Sequence, residues 1–215
     1  MKKRINSMNS MLYLTTAVCL LPLFLSAVLY SRLPDQIAIH FNSAGEPDNY
    51  VSKAVAAFGI PIGMAVLNVI SHLAIDSDPK RANASAMLKL MGKWLVPLLT
   101  VVMMPVTLFI AMGADIPIQT IVPAFVGLVI VACGNYMPKC RQNYTVGIKL
   151  PWTLNSEENW NRTHHMAGYL WIGGGIVMIL AGFFGGHWLT VTGVILVLCV
   201  AAPAVYSYKL YKAGI

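Results

Sequence analysis

The five longest stretches of the chain free of Asp, Glu, Lys and Arg are 5–31, 54–75, 94–114, 116–138 and 163–208. A helix needs about 20 apolar residues to cross roughly 30 Å of hydrocarbon. Each of the first four stretches fits one crossing; the last fits two, broken near its middle at Gly185-Gly186-His187-Trp188. The pattern therefore predicts six helices, at 10–30, 54–75, 94–113, 118–135, 167–184 and 188–207.

Two polar segments have patterns of their own. In the first, at 31–53, Ile37, Ile39 and Phe41 alternate with Ala38 and His40, the period of a short strand with one buried face. Asn42-Ser43-Ala44-Gly45 then reads as a turn, with Gly45 able to take positive φ. In the second, from 134 to 166, Gly147 and Pro151 stop a continuous helix. Asn155-x-x-Glu158 has the form of a capping box, with Asn155 as N-cap. A helix from Ser156 would put Trp160, His164, Ala167 and Trp171 on one stripe and pair Glu158 with Arg162. Trp160 and Trp171 are expected at or near the membrane interface, where an amphipathic ring is favoured.

Composition supports embedding in a bilayer. Hydrophobic residues make up 57% and charged residues 11%, the mean hydropathy is +0.67, and a soluble domain carries about 25% charged residues. The formal charge of +7 has a sided origin: with six crossings, thirteen basic residues fall on the side of the termini and only Arg32 and Lys53 on the other. Lys and Arg bias sets orientation, so both termini and the segment 134–166 are expected to be cytoplasmic and the segment 31–53 extracellular. The basic collar suits anionic headgroups, and no aromatic-basic cluster points to direct nucleic-acid binding. No Ala-x-Ala site follows the first apolar run, so it is expected to remain as a crossing rather than a cleaved signal.

These readings give an all-α membrane protein: a six-transmembrane helix bundle with a short extracellular strand/turn cap and a cytoplasmic loop-helix segment. The expected division is 1–75, carrying the outer loop 31–53, and 76–215, carrying the inner loop 134–166, within one compact membrane domain.

Candidate chemistry is sparse. No crossing holds an Asp or Glu, and polar residues such as Asn68, Ser71, His72, Thr100 and Thr107 are sparse within them; a pump or antiporter usually keeps ionisable residues at mid-membrane. His72, near the inner end of its helix, reads as a snorkelling or capping residue, with a proton relay as the alternative. Pro22, Pro61, Pro97, Pro105, Pro123 and Pro203 fall within crossings, and Gly59-Ile-Pro-Ile-Gly63 and Gly182-x-x-x-Gly186 offer small faces for helix packing. His164 and His165 are adjacent, so on a helix they point about 100° apart and are poorly placed to share a metal ion. Asp76/Asp78 and Glu157/Glu158 read as pairs on solvated inner surfaces, and no nucleophile stands in a motif with its base. Cys19, Cys133, Cys140 and Cys199 avoid the outer segments, so no disulfide is expected. An enzyme is disfavoured, and no cofactor or metal is expected.

The two polar segments together resemble the SdpI-type immunity protein family, bacterial membrane proteins that protect against a secreted peptide toxin. The outer match is Leu33-Pro34-x-x-Ile37-x-Ile39-His40-Phe41-Asn42 through Gly45-Glu46-Pro47-Asp48 to Ser52-Lys53, which looks like a domain of unknown function commonly preceding the family's own region. The inner match is Gly134-Asn135-Tyr136-Met137-Pro138-Lys139, Asn143-Tyr144-x-x-Gly147-Ile148, Pro151-Trp152-Thr153-Leu154, then Trp160-x-x-Thr163-His164. The resemblance implies a multi-pass protein of the bacterial plasma (inner) membrane with two jobs: immunity to a toxin that collapses the membrane potential, and signalling by holding a small DNA-binding repressor at the membrane. Lys149-Leu150 and His165 depart from the residues common in that family. The expected contact residues are His40, Phe41, Asn42, Gly45, Glu46 and Asp48 outside, where a purely structural lid is the competing reading. Inside, they are Asn135, Pro138, Asn143, Gly147, Lys149, Pro151, Trp152, Thr153, Trp160, Thr163 and His164. The expected partners are the lipid bilayer, a secreted peptide toxin and a small repressor. A small transporter or peptide exporter built on proline-kinked helices is the alternative function.

Overall fold

The computed structural model describes residues 2–42, 44–80, 86–184 and 187–215. Ser43 of the expected turn, Arg81 of the basic collar, and Gly185 and Gly186 of the expected break lie outside the described residues, as do the side chains of Lys2, Lys3 and Arg4. The chain forms α1 (Lys2–Leu29), β1 (Gln36–Phe41), β2 (Pro47–Ser52), α2 (Ile60–Asp76), α3 (Ala86–Ala111), α4 (Ile118–Tyr136), α5 (Pro151–Asn155), α6 (Glu157–Phe184) and α7 (Trp188–Lys212). All six expected crossings are present as helices long and apolar enough to span a bilayer: Ser10–Arg32, Val55–Asp76, Ala86–Ala111, Ile118–Lys139, Glu157–Phe184 and Trp188–Lys212. Three helices begin earlier than the hydropathy suggested: α1 at Lys2, and α3 and α6 because the amphipathic turns at 86–93 and 157–166 continue them. Large apolar side chains such as Phe24, Val200 and Phe184 stay exposed, as expected where lipid rather than protein covers a helix.

The chain divides into two compact units, one of 1–76 with 92–116 and one of 77–91 with 117–215. In the first, β1 and β2 form an antiparallel hairpin. Ile37 is buried with Leu33, Ala56, Ala57 and Leu108, which ties the hairpin to the ends of the helices. The expected alternation fails after Ile37: the register shifts between Ala38 and His40, and Ile39 is left exposed. A π-helical turn, Val55–Gly59, leads into α2. Pro61 explains it, since it has no N–H for the Ala57 carbonyl and its ring crowds that residue; the Ile60 N–H bonds Val55 O instead, and a π turn relieves such a site. The expected small face at Gly59 and Gly63 makes no close approach: a Cβ on Gly63 would meet nothing within 4 Å.

In the second unit α4 and α6 run antiparallel in near backbone contact. A Cβ on Gly127 would lie 2.5 Å from Gly175 O, and one on Gly134 would lie 2.9 Å from Gly168 O. Thr120 Oγ1 donates to Gly182 O at 2.8 Å. Positions 120, 127 and 134 thus face 182, 175 and 168. Seven-residue spacing on both helices keeps one seam in register, as in left-handed helix pairs.

Candidate functional site

The segment from Met137 to Ile148 is folded by its polar side chains. A single 3₁₀ turn, Met137–Lys139, closes α4. Asn143 then organises the loop: its Oδ1 accepts from the Thr145 and Val146 amides at 3.0 and 2.7 Å, and its Nδ2 donates to Arg141 O at 2.8 Å. Asp78 was expected on a solvated surface, but it is 4% exposed. It accepts from the Tyr144 amide at 3.0 Å, from Thr145 Oγ1 at 2.5 Å and from the Lys80 amide at 2.7 Å. Burial works against its charge, yet the bonds from Thr145, Lys80 and Tyr144 prevail and hold its carboxyl below the usual range. Asp76 is likewise committed, paired with Lys93 at 2.7 Å. Around the same loop, burial pushes the Cys140 thiol up to about 11, so it is an inert packing group. All four cysteines are free thiols.

Gly147 is where the loop meets α6. Its φ is +120°, and a Cβ there would lie 2.5 Å from His164 Nε2 and 3.0 Å from the Trp160 ring. The Ile148 amide donates to His164 Nε2 at 2.9 Å, so that nitrogen holds a lone pair. Nδ1 therefore carries the hydrogen and donates to Trp160 O at 2.8 Å. Both ring nitrogens are engaged, which removes His164 as a metal ligand in this state. The ring stacks on Trp160 at 4.0 Å, and Trp160 Nε1 donates to Cys140 O at 2.6 Å. Trp160 is wholly buried in protein, not an interfacial ring, because the loop folds over it.

Thr153 and Gln142 fix the short helix α5. Pro151 stands at its first position, where no N–H is needed. Thr153 Oγ1 accepts from the Leu150 amide at 2.9 Å and donates to Ile148 O at 2.8 Å. Gln142 Nε2 donates to the Thr153 and Leu154 carbonyls at 3.0 and 2.8 Å. The expected cap at Asn155 is displaced by one residue. Asn155 ends α5, and Ser156 Oγ accepts the Asn159 amide at 3.1 Å to cap α6. Trp152 donates through Nε1 to Ser207 and lies against the rings of Tyr208 and Tyr211. Buried Asn159 donates to Ser207 O at 2.9 Å, and Thr163 Oγ1 bonds Asn159 Oδ1 at 3.2 Å.

The sequence-derived inner residues therefore separate by burial. Asn143, Thr153, Trp160, Thr163 and His164 are buried and build the loop, with Gly147 and Trp152 partly covered. Asn135, Pro138, Lys149 and Pro151 face outward. Glu158 and Arg162 form the expected pair at 2.6 Å. Asp78, Gln142, Asn159 and Ser207 escaped sequence reasoning because their partners lie far away in the chain. Asn159, on the buried face of the expected helix, was the detectable one.

The outer residues gather at the hairpin tip. Asn42 Oδ1 accepts the Ala44 and Glu46 amides at 2.9 and 3.0 Å, and Gly45 has φ +81°. His40 Nδ1 lies 2.5 Å from Asp48 Oδ1, and Asn42 Nδ2 donates to Glu46 at 3.3 Å. Phe41 is half-buried, opposite Pro47. At the hairpin base Lys53 pairs with Asp35 at 2.8 Å; that hydrogen bond and charge hold the Asp35 carboxyl below its ordinary range.

Comparison with known proteins places both segments. The SdpI/YfhL protein family matches residues 139–207, and a domain of unknown function (DUF1648) matches residues 17–65. The chain is 30% identical to the immunity protein SdpI of Bacillus subtilis (strain 168) over 189 residues, covering 87% of this chain and 89% of that protein. No solved structure matches significantly.

Proposed function

The chain belongs to the SdpI/YfhL protein family, and on that premise we propose that it is a multi-pass membrane immunity protein giving resistance to a secreted antimicrobial peptide toxin. The observation that carries the reading is identity extending over 87% of the chain, through both polar segments. Protection is by binding, without turnover. Both termini and the Trp152 loop face the cytoplasm, as the basic collar favours, and the hairpin faces outward. The toxin is met on the outer side, at the hairpin residues His40, Phe41, Asn42, Gly45, Glu46 and Asp48 or on the lipid-facing helices beside them. A repressor is met on the inner side, at the exposed residues Asn135, Pro138, Lys149 and Pro151. Asn143, Gly147, Trp152, Thr153, Trp160, Thr163 and His164 hold that surface in shape.

Signalling further requires the outer ligand to bind one conformation better than another, since equal affinity shifts nothing. Expression in a toxin-sensitive strain, followed by challenge and a membrane-potential readout, tests the proposal. The chain should preserve the potential, and Trp152→Ala or His164→Ala should cost more protection than Lys149→Ala at equal abundance. Loss of potential despite normal abundance of the native chain refutes the immunity reading; uptake by proteoliposomes holding this protein alone would point to a transporter instead.

A further inference from the structure

The first unit encloses a polar cluster that the immunity reading does not use. Thr15 of α1 and Asn68 and His72 of α2 are at most 1% exposed. Thr15 Oγ1 donates to Met11 O at 2.9 Å, which uses its single hydrogen. The same oxygen accepts from Asn68 Nδ2 at 3.1 Å and meets His72 Nε2 at 2.9 Å. With that hydrogen given to Met11 O, the oxygen accepts from Nε2. This assignment makes His72 the Nε2–H tautomer, with a lone pair on Nδ1.

That lone pair has no partner among the described residues, and neither has Asn68 Oδ1, whose amide nitrogen also bonds Thr16 Oγ1 at 3.0 Å. The cluster holds two buried acceptors in excess and lacks a donor, an arrangement that costs free energy unless a donor arrives.

The stripe has one polar end. Asn68, His72 and Asp76 follow at four-residue spacing on one face of α2. Asp76, its side chain 27% exposed, is bonded by Lys93 Nζ of α3 at 2.7 and 2.8 Å. Towards the hairpin the buried face continues through Ala65, Pro61, Ala57 and Ala56, which offer no side chain that carries a proton.

Among the described residues, the polar and titratable groups on the elements packed around the cluster are few. From α1 come the Thr15 and Thr16 hydroxyls and, one turn on, the buried Cys19 thiol; from α2, Asp76; from α3, Lys93 and Thr100, whose hydroxyl bonds Val96 O at 2.7 Å. Lys93 and Asp76 are the charges that act on His72.

We propose that His72 is a proton-binding site, loaded from the Asp76 end and closed at the other. A proton from water at Asp76 joins the Nδ1 lone pair, no bond between heavy atoms changes, and the ring becomes an imidazolium one turn from a carboxylate. The proton occupies the Nδ1 lone pair, which is otherwise a buried acceptor with no partner among the described residues. Because the stripe stops at Asn68, the site stores a proton and does not pass one across.

The test is ¹⁵N-histidine spectroscopy of the full chain inserted with known orientation in lipid vesicles, with His72 assigned through His72→Gln. Should that variant not fold, removing the exposed His40, His165 and His187 leaves only His72 and His164 to distinguish. At about pH 8 the ring should show the Nε2–H tautomer, and lowering the pH to about 5 on the Asp76 side alone should give the imidazolium pattern. Asp76→Asn should move the midpoint to lower pH, since a neighbouring negative charge is lost. An Nδ1–H tautomer overturns the proposal, as does titration from the hairpin side. So does a ring that stays neutral throughout, including one that contacts only water.

Discussion

Gly147 shows how much of the inner surface rests on one residue. Its φ of +120° and the 2.5 Å approach of His164 to a Cβ leave no room for alanine. Strained backbone of that kind costs about 1–3 kcal/mol in a residue with a side chain. Gly147→Ala should therefore lower stability by about that much and expose Trp160, read as a red shift in tryptophan emission; Gly193→Ala, where a Cβ would meet nothing within 4 Å, should not. The glycine was legible in the sequence as a helix stop. Its partners were not, because stacking of His164 on Trp160 follows from helical spacing, whereas closure of the loop over them depends on Asp78, more than sixty residues earlier. His72 was misread for a related reason: position near a helix end suggested a capping role, but Thr15 of another helix buries it.

Among elements, the α4–α6 seam is the most demanding. Gly127 faces Gly175 with a carbonyl 2.5 Å from where a Cβ would stand, so any side chain must push the helices apart. Overpacking of a close interface costs about 1–3 kcal/mol. Gly175→Ala should lower the detergent-solubilised Tm and the membrane abundance, while Gly173→Ala, where a Cβ would meet nothing within 4 Å, should leave both unchanged. Charge-free runs were sufficient to find all six helices. They could not reveal this seam, since its glycines recur every seven residues on two separate helices and no short motif contains them. The second strand was hidden too: Pro47-Asp48-Asn49 is poor strand sequence, and its pairing depends on the turn held by Asn42.

For the whole molecule, the sided distribution of Lys and Arg makes a labelling prediction. In a cysteine-free background, a cysteine at Tyr50, 51% exposed in the hairpin, should react with an impermeant maleimide on intact cells. One at Lys149 should react only after permeabilisation. The reverse pattern would invert the proposed orientation. The continuous helix from Glu157 to Phe184 matters most at this scale, because 28 residues at about 1.5 Å each are more than a bilayer's hydrocarbon thickness. Its first turns carry the Trp160–His164 stack and its middle the glycine seam, so whatever tilts the beam at one end must be felt at the other. If the proposed signalling operates, this helix is the element through which a tilt on one face of the bilayer would reach the other without any solute passing between them.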